Sequence, residues 1–286
     1  MIAAADREDE VLKPERQFRI ERFLETVARA RRSLLLLDYD GTLAPFRKER
    51  DQAYPYPGSV HLLEEIVRSG HTRVVIISGR DTAETIPLLG VAPVPEVWGL
   101  HGLQRRKPDG RIETLRIEER YLDALSDANR WLDCQHLWHA AELKTGSVAV
   151  HWRGLTDPEV EELRERLLTG WKPIAQHSGM ELLEFDGGIE MRAPKADKGD
   201  VVRIVLSEME PSTPAAYLGD DTTDEHAFRA ISGRGLSVLV RPRWRQTAAQ
   251  LWLKPPGELI DFLTGWLEAV RGHSAMDGKA DAAVNG

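Results

Sequence analysis

The stretch LLLLDYD, residues 34–40, constrains the fold of this 286-residue chain more than any other feature. An unbroken apolar run of strand length is typical of a strand that is covered on both faces, as in a parallel sheet flanked by helices. Residues two apart in extended backbone point the same way, so Asp38 and Asp40 are expected to face one site. That site would lie at the carboxyl end of the strand, where open α/β sheets bind their ligands.

Further buried runs alternate with helical patterns along the chain. Strands are predicted at RVVIISGR (73–80), VPEVWGLHG (94–102), AAYLGDD (215–221) and GLSVLV (235–240). Helical spacing is present at residues 19–32, 60–70, 81–90 and within 251–270. This alternation predicts a doubly wound, Rossmann-like α/β core with a parallel sheet.

The pattern changes in the middle of the chain. Asp109-Gly110 indicates a hairpin, and it is followed by a helix near 117–133 and the alternating strand SVAVHWRG (147–154). A charged helix is predicted at about 158–168, with short strands at 180–185 and 189–194. Alternating strands indicate an antiparallel sheet with one covered face. We therefore expect a core at 18–114 and 193–271, an α+β domain inserted at 115–192 (the insert), and disordered ends at 1–17 and 272–286.

Composition narrows the class of protein. A mass of 32.2 kDa predicts about two domains, and 42% hydrophobic with 29% charged residues is usual for a globular protein. The net charge of −8 argues against a nucleic-acid partner. A single cysteine, Cys134, excludes an internal disulfide and favours the cytoplasm. The chain shows no signal peptide and no apolar run long enough for a membrane span, and a monomer is favoured although the oligomeric state stays open.

Polar residues follow three of the predicted strands. They are Asp38 and Asp40 after the first, Ser78, Gly79 and Arg80 after the second, and Asp220, Asp221 and Asp224 after the third. A hydroxyl and free N–H groups at a helix start can bind an anion such as phosphate. So many clustered carboxylates require a cation, and oxygen-only ligands favour Mg²⁺. Lys198 supplies a positive charge where the core resumes.

The tripeptide SGR occurs twice, and the two copies are interpreted differently. The copy at 78–80 follows its strand, whereas the copy at 232–234 precedes one. The second copy is therefore predicted to be a turn at the opposite edge of the sheet, because position relative to the strand decides which edge a residue occupies.

Four motifs together resemble the haloacid dehalogenase superfamily of phosphatases: DYDGTL, the strand-final Ser78, Lys198 and GDDTTDE. The additional GLHG, the E-x-K of ELKTGSVAVHWR and IEMRAPKADKG resemble, more narrowly, the trehalose-6-phosphate phosphatase family. The chain departs from that family's pattern at Leu143 and Trp152, which concerns the shape of the pocket. The resemblance implies Mg²⁺-dependent hydrolysis of a sugar phosphate in trehalose biosynthesis.

The resemblance also implies roles for the motif residues. Asp38 would attack phosphorus and form an aspartyl-phosphate, and Asp40 would act as acid and then as base. Crowding with Asp38 and Asp220 is expected to favour the protonated form of Asp40. Mg²⁺ would be held by the Asp38 carboxylate, the Asp40 main-chain carbonyl and Asp220, with Asp221 and Asp224 orienting waters or the loop.

The phosphate group would be stabilised by several donors. Those expected are main-chain N–H groups near Tyr39, Asp40 and Gly79, the hydroxyls of Thr42 and Ser78, and the side chains of Arg80 and Lys198, beside the attacking Asp38. Gly41 is expected to permit the tight turn that brings backbone close to phosphate.

The insert would cover the site and bind the sugar in such a family. The expected sugar ligands are His101, Glu142, Lys144, His151, Arg153 and Glu190. The alternative is a solvated sheet face with a local Glu–Lys pair, and for His101 an ordinary turn histidine. Cys134, Trp138 and His139 are expected to line the insert's own core.

Three functions remain open from the residues. The first is trehalose-6-phosphate phosphatase. The second is a related enzyme for another sugar phosphate, such as sucrose phosphate or a glycosylglycerate phosphate, or a phosphohexomutase. The third is a non-catalytic sensor of sugar phosphates, which would not need an intact nucleophile.

Overall fold

The apolar runs form the centre of an eight-stranded sheet. The computed structural model describes residues 4–47, 49–114, 117–144, 146–152, 154–185, 187–194 and 197–284. The strands are β1 (Ser33–Asp38), β2 (Thr72–Ile77), β3 (Glu96–Gly99), β4 (Gln104–Arg106), β5 (Ile112–Thr114), β6 (Ala141–Lys144), β7 (Ser147–His151), β8 (Glu181–Phe185), β9 (Gly188–Arg192), β10 (Ala215–Gly219), β11 (Leu236–Val240) and β12 (Leu251–Leu253). The helices are α1 (Ala4–Arg29), α2 (Ser59–Arg68), α3 (Thr82–Leu89), α4 (Glu119–Cys134), α5 (Asp157–Ser178), α6 (Lys198–Ser207), α7 (Glu225–Ile231) and α8 (Gly257–Val284).

The large sheet has the strand order β12-β11-β10-β1-β2-β3-β4-β5. The strands from β12 to β3 are parallel, and β4 and β5 add an antiparallel hairpin at one edge. The α/β core with its parallel strands is confirmed, and so is the hairpin expected at Asp109-Gly110, which makes the sheet mixed at this edge. The reason is the hairpin turn at residues 107–111, which returns the chain directly beside β3 without a crossover helix.

Strand β1 is buried on both faces, as its four leucines indicate. Leu35 and Leu37 pack in a cluster with α1, α2 and α8, whereas Leu34 and Leu36 pack with α6 and α7. All four side chains are fully buried. Because successive strand residues face opposite sides, a run of apolar residues is needed where helices cover both.

The insert forms a second sheet, of strand order β6-β7-β9-β8 and entirely antiparallel. Helices α4 and α5 pack on one face of this sheet around buried Val148, Val150 and Trp171. Helix α5 continues to Ser178, beyond the expected end near 168, because Trp171 and Ala175 extend its buried stripe past Pro173.

The structure differs from three other expectations. Helix α1 begins at Ala4 and α8 ends at Val284, so residues 4–17 and 272–284, expected to be disordered, have helical backbone. Residues 4–17 contain Ala, Glu, Arg and Lys, and residues 272–284 contain four alanines, all of which favour helix. Strand β12 was not foreseen, because three residues are too few for a periodic pattern.

The side chains of Cys134, Trp138 and His139 are exposed, with Trp138 at 67%, so the expectation that they line the insert's core is wrong. Leu132 and Leu137 occupy those core positions instead, because α4 ends at Cys134 and the chain then turns along the surface. Among the described residues, no helix has both the length and the apolar character needed to cross a bilayer.

Candidate active site

The predicted site residues converge at the carboxyl edge of the large sheet. Strand β1 pairs with β10 on one side and β2 on the other, so Asp38, Ser78 and Asp220 are brought to neighbouring strand ends. Lys198 is the first residue of α6, and its side chain reaches the same place. All four are buried, which removes them from bulk solvent and strengthens their electrostatic interactions.

Lys198 bridges two carboxylates. Its Nζ donates to Asp38 Oδ1 at 2.6 Å and to Asp224 Oδ1 at 2.7 Å, while the Thr42 hydroxyl donates to Asp38 Oδ2 at 3.1 Å. Burial raises the pKa of Asp38 to about 7, although Lys198 acts in the opposite direction. Burial also lowers the pKa of Lys198, but Asp224 and Asp38 outweigh it, and the net pKa lies above the usual value. Lys198 therefore stays charged.

Asp224 organises the loop after β10. Its Oδ1 accepts from Lys198 and from the Tyr217 hydroxyl, and its Oδ2 accepts from the main-chain N–H groups of Asp220 and Asp221. Both oxygens are thus engaged within the protein. Asp221 caps the short helical turn that follows, accepting from Thr222 N at 2.7 Å.

The surroundings of Asp220 suit a divalent cation. Its Oδ1 is buried and has no hydrogen-bond partner among the described residues. Burial, together with the charges of Asp38 and Asp224, raises its pKa well above the ordinary value. The carboxylates of Asp38, Asp220 and Asp224 offer candidate metal-ligand atoms within 4.8 Å of one another. All of these atoms are oxygens, the ligands that Mg²⁺ prefers. One lysine cannot neutralise three buried carboxylates.

Two features that hold Asp220 in place were not predicted. Gly41 has φ +87°, and a Cβ there would lie 2.1 Å from Asp220 Oδ2, so only glycine permits this approach. Arg245 donates to the main-chain carbonyls of Asp220, at 3.2 Å, and Asp221, at 2.6 Å. Arg245 lies in the loop between β11 and β12, where no sequence pattern connects it with the site.

Asp40 has different surroundings from those expected. Arg80 donates to both its oxygens, from Nε at 2.7 Å and Nη2 at 2.6 Å. The Arg80 side chain is only 5% exposed, while that of Asp40 is 28% exposed and lines the cavity. The partner of Asp40 is therefore a guanidinium, where we expected crowding by the aspartates, because the turn after β1 directs this carboxylate toward the strand β2 end.

The expected phosphate donors are partly available. The Ser78 Oγ accepts from Arg80 N at 3.0 Å, which leaves its hydroxyl proton for another acceptor. The Tyr39 side chain is buried in the core and donates to Ala53 O at 2.7 Å, so only its main chain can serve. Gly79 packs against the His101 ring, since a Cβ at Gly79 would lie 2.7 Å from it.

The insert presents toward the core a row of side chains that includes Glu142 and Glu190, called here the acidic row. Strand register aligns Glu142 of β6 with Ala149 of β7, and Ala149 with Glu190 of β9. His151 Nε2 lies 2.8 Å from Glu142 Oε2. Glu190 accepts from the Ser147 hydroxyl at 2.7 Å, and its Oε2 lies 3.1 Å from His101 Nε2 of the core.

Four of the six expected sugar ligands thus meet at one face: His101, Glu142, His151 and Glu190. Arg153 and the Lys144 side chain lie outside the described part of the chain. The cavity between insert and core has a volume of about 110 Å³. It is also lined by Phe46, Arg50, Phe185 and Thr223, which we did not predict because they lie outside the motifs.

Comparison with known proteins gives consistent similarities. A trehalose-phosphatase family model matches residues 36–251. A trehalose-phosphate phosphatase of Mycobacterium leprae is 30% identical over 254 residues, which are 82% of this chain and 57% of the relative. The chain therefore spans somewhat over half the length of such curated relatives.

Two solved structures show the fold. The C-terminal domain of C. albicans trehalose-6-phosphate phosphatase has a TM-score of 0.74 at 21% identity, covering 87% of this chain and 96% of the other. A haloacid dehalogenase-like hydrolase from B. subtilis has a TM-score of 0.57 at 16% identity, covering 81% and 99%. The core with its insert is therefore the haloacid dehalogenase-like fold that was expected.

Proposed function

The chain belongs to the trehalose-phosphatase family, and from that membership we propose that it hydrolyses trehalose 6-phosphate to trehalose and inorganic phosphate. The observation that carries the proposal is the buried contact of Lys198 with Asp38 at the end of β1. At this strand end the Asp38 carboxylate supplies a nucleophile, and Lys198 supplies a positive charge that attracts an incoming phosphate. The setting would be trehalose biosynthesis.

Asp38 is the proposed nucleophile. A carboxylate oxygen attacks phosphorus in line with the sugar oxygen, and an aspartyl-phosphate forms as the P–O bond to the sugar breaks. The attack brings an anion toward a dianion, and Lys198, the Ser78 hydroxyl and main-chain N–H groups offset that repulsion. The Thr42 hydroxyl, expected to bind phosphate, donates to Asp38 and so orients the nucleophile. Water exclusion by the insert strengthens each of these interactions.

Asp40 is the proposed proton carrier. It donates a proton to the leaving sugar oxygen in the first step. In the second step it accepts a proton from the water that attacks phosphorus, and the P–O bond to Asp38 breaks to release inorganic phosphate and the free carboxylate. Arg80 holds its carboxylate at the cavity wall, so one oxygen must leave the guanidinium when the proton is transferred. In this proposal Arg80 positions Asp40 and would also face the phosphate group of the bound substrate.

Mg²⁺ is the proposed cofactor. Asp38 and Asp220 would hold it through their carboxylates and Asp40 through its main-chain carbonyl, and when bound it would neutralise charge on the phosphate oxygens. The unpartnered Oδ1 of buried Asp220 supports this assignment. Asp224 is proposed to stay outside the ligand set, because among the described residues its two oxygens accept four hydrogen bonds, whereas each oxygen of Asp38 accepts one.

The acidic row and the two histidines beside it form the proposed sugar site. Glu142, Glu190, His151 and His101 provide hydrogen-bond acceptors and donors for several hydroxyls, and Phe185 contacts the His151 ring edge at 5.6 Å between centroids. Such planar polar groups beside an aromatic ring suit a neutral sugar. They support a sugar phosphate as the substrate class, and the family membership favours trehalose 6-phosphate within it.

Phosphate release from a substrate panel tests the function. We expect trehalose 6-phosphate to be turned over faster than glucose 6-phosphate and sucrose 6-phosphate, with the activity lost on chelation and restored by Mg²⁺. Asp38→Asn should lower turnover by about 10⁴-fold or more, as for other lost nucleophiles. Near-normal turnover by Asp38→Asn would contradict the mechanism, and preference for sucrose 6-phosphate would contradict the substrate.

The other two candidates are less well supported. Another sugar phosphate would use the same core chemistry and differ only in contacts with the insert. A sensor would not require the buried Lys198–Asp38 contact, and it would bind trehalose 6-phosphate without releasing phosphate. Titration calorimetry with trehalose 6-phosphate measures binding, and the phosphate assay measures turnover. Binding without phosphate release would indicate a sensor.

A further inference from the structure

Arg50 lies outside every motif and lines the cavity between the insert and the core. It begins a short helical turn, Arg50–Gln52, in the core segment between β1 and α2. Its guanidinium contacts the carboxylate of Glu142 on β6 of the insert, and its Nη2 lies 3.6 Å from Glu84 Oε2 on α3. The side chains of Arg50 and Glu142 are 33% and 20% exposed, so the contact between them is partly shielded from water.

The main chain of Arg50 is held by the proposed catalytic residues. Arg80 Nη1 donates to the Arg50 carbonyl at 2.7 Å, while the other donors of the same guanidinium hold both oxygens of Asp40. The position of Arg50 therefore depends on the Arg80–Asp40 pair. Any displacement of this pair would move the residue that contacts the insert.

The partner of Arg50 belongs to the proposed sugar site. Glu142 Oε2 lies 2.8 Å from His151 Nε2, and register places Glu142 in the same row as Glu190. Other contacts between the insert and the core in the described part of the chain include His101 with Glu190 at 3.1 Å and the Thr222 hydroxyl with Glu184 O at 3.3 Å. Arg50 adds a charged contact to Glu142 beside the same cavity.

An ordinary surface ion pair is the competing explanation. Exposed pairs contribute little to stability and have no directional role. The pair of Arg164 with Glu184 is such a case, since its guanidinium is 34% exposed and both residues belong to the insert. Arg50 has the same exposure, but its partners lie on different parts of the molecule, so its removal should change how these parts meet.

We propose that Arg50 is a positioning residue that docks the insert onto the core and places Glu142 for sugar binding. The proposal rests on the proposed function as far as the sugar is concerned. The Arg80 contact fixes the backbone of Arg50, and the guanidinium then fixes Glu142. Docking of the insert is thereby linked to the residues that surround the phosphate.

Hydrogen exchange on the full-length protein without substrate tests the docking. We expect Arg50→Met to raise exchange in the β6 and β7 peptides by about threefold to fivefold, the effect of a pair worth up to about 1 kcal/mol. Arg50→Lys should restore most of the protection, and Glu142→Gln should reproduce the rise from the other side. Arg164→Met, the matched control, should leave β6 unchanged.

Kinetics separate positioning from a merely structural role. Arg50→Met should raise the KM for trehalose 6-phosphate by about threefold to fivefold with kcat within about twofold, whereas turnover of p-nitrophenyl phosphate, which carries no sugar, should be unchanged. In the double variant with Glu142→Gln the two KM effects should not add. Unchanged β6 exchange in Arg50→Met, or an equal rise in Arg164→Met, overturns the proposal.

The two proposals fail in different ways. If trehalose 6-phosphate is not turned over but β6 exchange rises as expected, the function is wrong and the docking role stands. If the substrate is turned over normally while exchange and KM in Arg50→Met equal those of the wild type, the docking role is wrong. If Arg50→Met does not fold, hydrogen exchange of Arg50→Lys and Glu142→Gln decides instead. Near-wild-type β6 exchange in Arg50→Lys with raised exchange in Glu142→Gln supports the proposal, and unchanged exchange in Glu142→Gln overturns it.

Discussion

Asp38 and Asp40 are two residues apart and differ in their partners. Asp38 is 3% exposed and contacts Lys198 and Thr42, whereas Asp40 lies at the cavity wall beside Arg80. The same strand end therefore provides two carboxylates with different surroundings. Such a difference is what a nucleophile and a proton carrier require.

Gly41→Ala tests the close approach to Asp220. A non-glycine residue at positive φ costs about 1–2 kcal/mol of stability, and the added Cβ would also displace the Asp220 carboxylate. We expect activity to fall by about 10²-fold, the usual effect of a misplacement of about 1 Å. Urea unfolding and Mg²⁺ titration calorimetry measure the two effects.

Gly58→Ala is the matched control for this prediction. Gly58 has φ +88° and no atom within 4 Å of the position of a Cβ. This variant should lose similar stability and keep its activity and Mg²⁺ affinity. Equal losses of activity in both variants would show that strain, and not the Asp220 contact, explains the effect.

At the scale of elements, strand register builds the sugar site. Glu142 and Glu190 lie 48 residues apart in sequence and come into one row, on either side of Ala149, only because β7 pairs with both β6 and β9. The alternation of β7 places Val148 and Val150 in the insert core and Ala149 on the opposite face. A shift of one residue in register would turn the acidic side chains into the core.

Thr156→Ala tests the start of helix α5. Thr156 and Glu159 form a capping box, in which the Glu159 carboxylate accepts from Thr156 N at 2.8 Å and each residue satisfies a main-chain N–H of the other. The variant should lose about 1 kcal/mol of unfolding free energy in urea titrations, the usual value of such a cap. Turnover should change little, because neither Thr156 nor Glu159 is among the residues that line the cavity. Thr156→Ser, which keeps the hydroxyl, should retain most of the stability.

At the scale of the whole molecule, a charge network joins α6 to the large sheet. Glu208, which follows α6, accepts from Arg105 of β4 at 2.8 Å and from Arg73 of β2 at 2.6 Å. Both arginines also contact Glu96, which is 3% exposed on β3. The antiparallel edge of the sheet is thereby fixed to the layer of helices.

The pH dependence of stability tests this network. Hydrogen bonds from Arg105 lower the pKa of Glu208 from 4.5 to about 2, outweighing burial. Its contribution is therefore fully present above pH 4.5 and is lost as the pH falls toward 2. Glu208→Gln should lower the unfolding free energy at pH 7, and its difference from the wild type should shrink between pH 4.5 and pH 2.

The exposed neighbour Glu210 provides the control for this measurement. Glu210→Gln should leave the unfolding free energy nearly unchanged across the same pH range. A constant difference between Glu208→Gln and the wild type from pH 7 to pH 2 would contradict the assignment, since a residue with an unshifted pKa contributes no pH dependence.

Much of the core could be predicted because its signals are local. Burial on both faces of β1 requires LLLL, and parallel strands end at one edge, so the acids that follow β1 and β10 must meet. The ends of the helices and the short strands at the sheet edges were harder to predict. Three-residue strands such as β12 and the continuation of α5 past Pro173 depend on packing against distant elements.

Local patterns were enough to predict the α/β core, the inserted antiparallel sheet and the acidic residues at the strand ends, because periodicity and strand-end position act over a few residues. The partners of the site residues follow from long-range packing: Arg80 for Asp40, Glu190 for His101, and Arg50 for Glu142. These contacts join residues 40 to 92 positions apart. Their geometry depends on how loops and sheets pack to within an ångström, which no local pattern encodes.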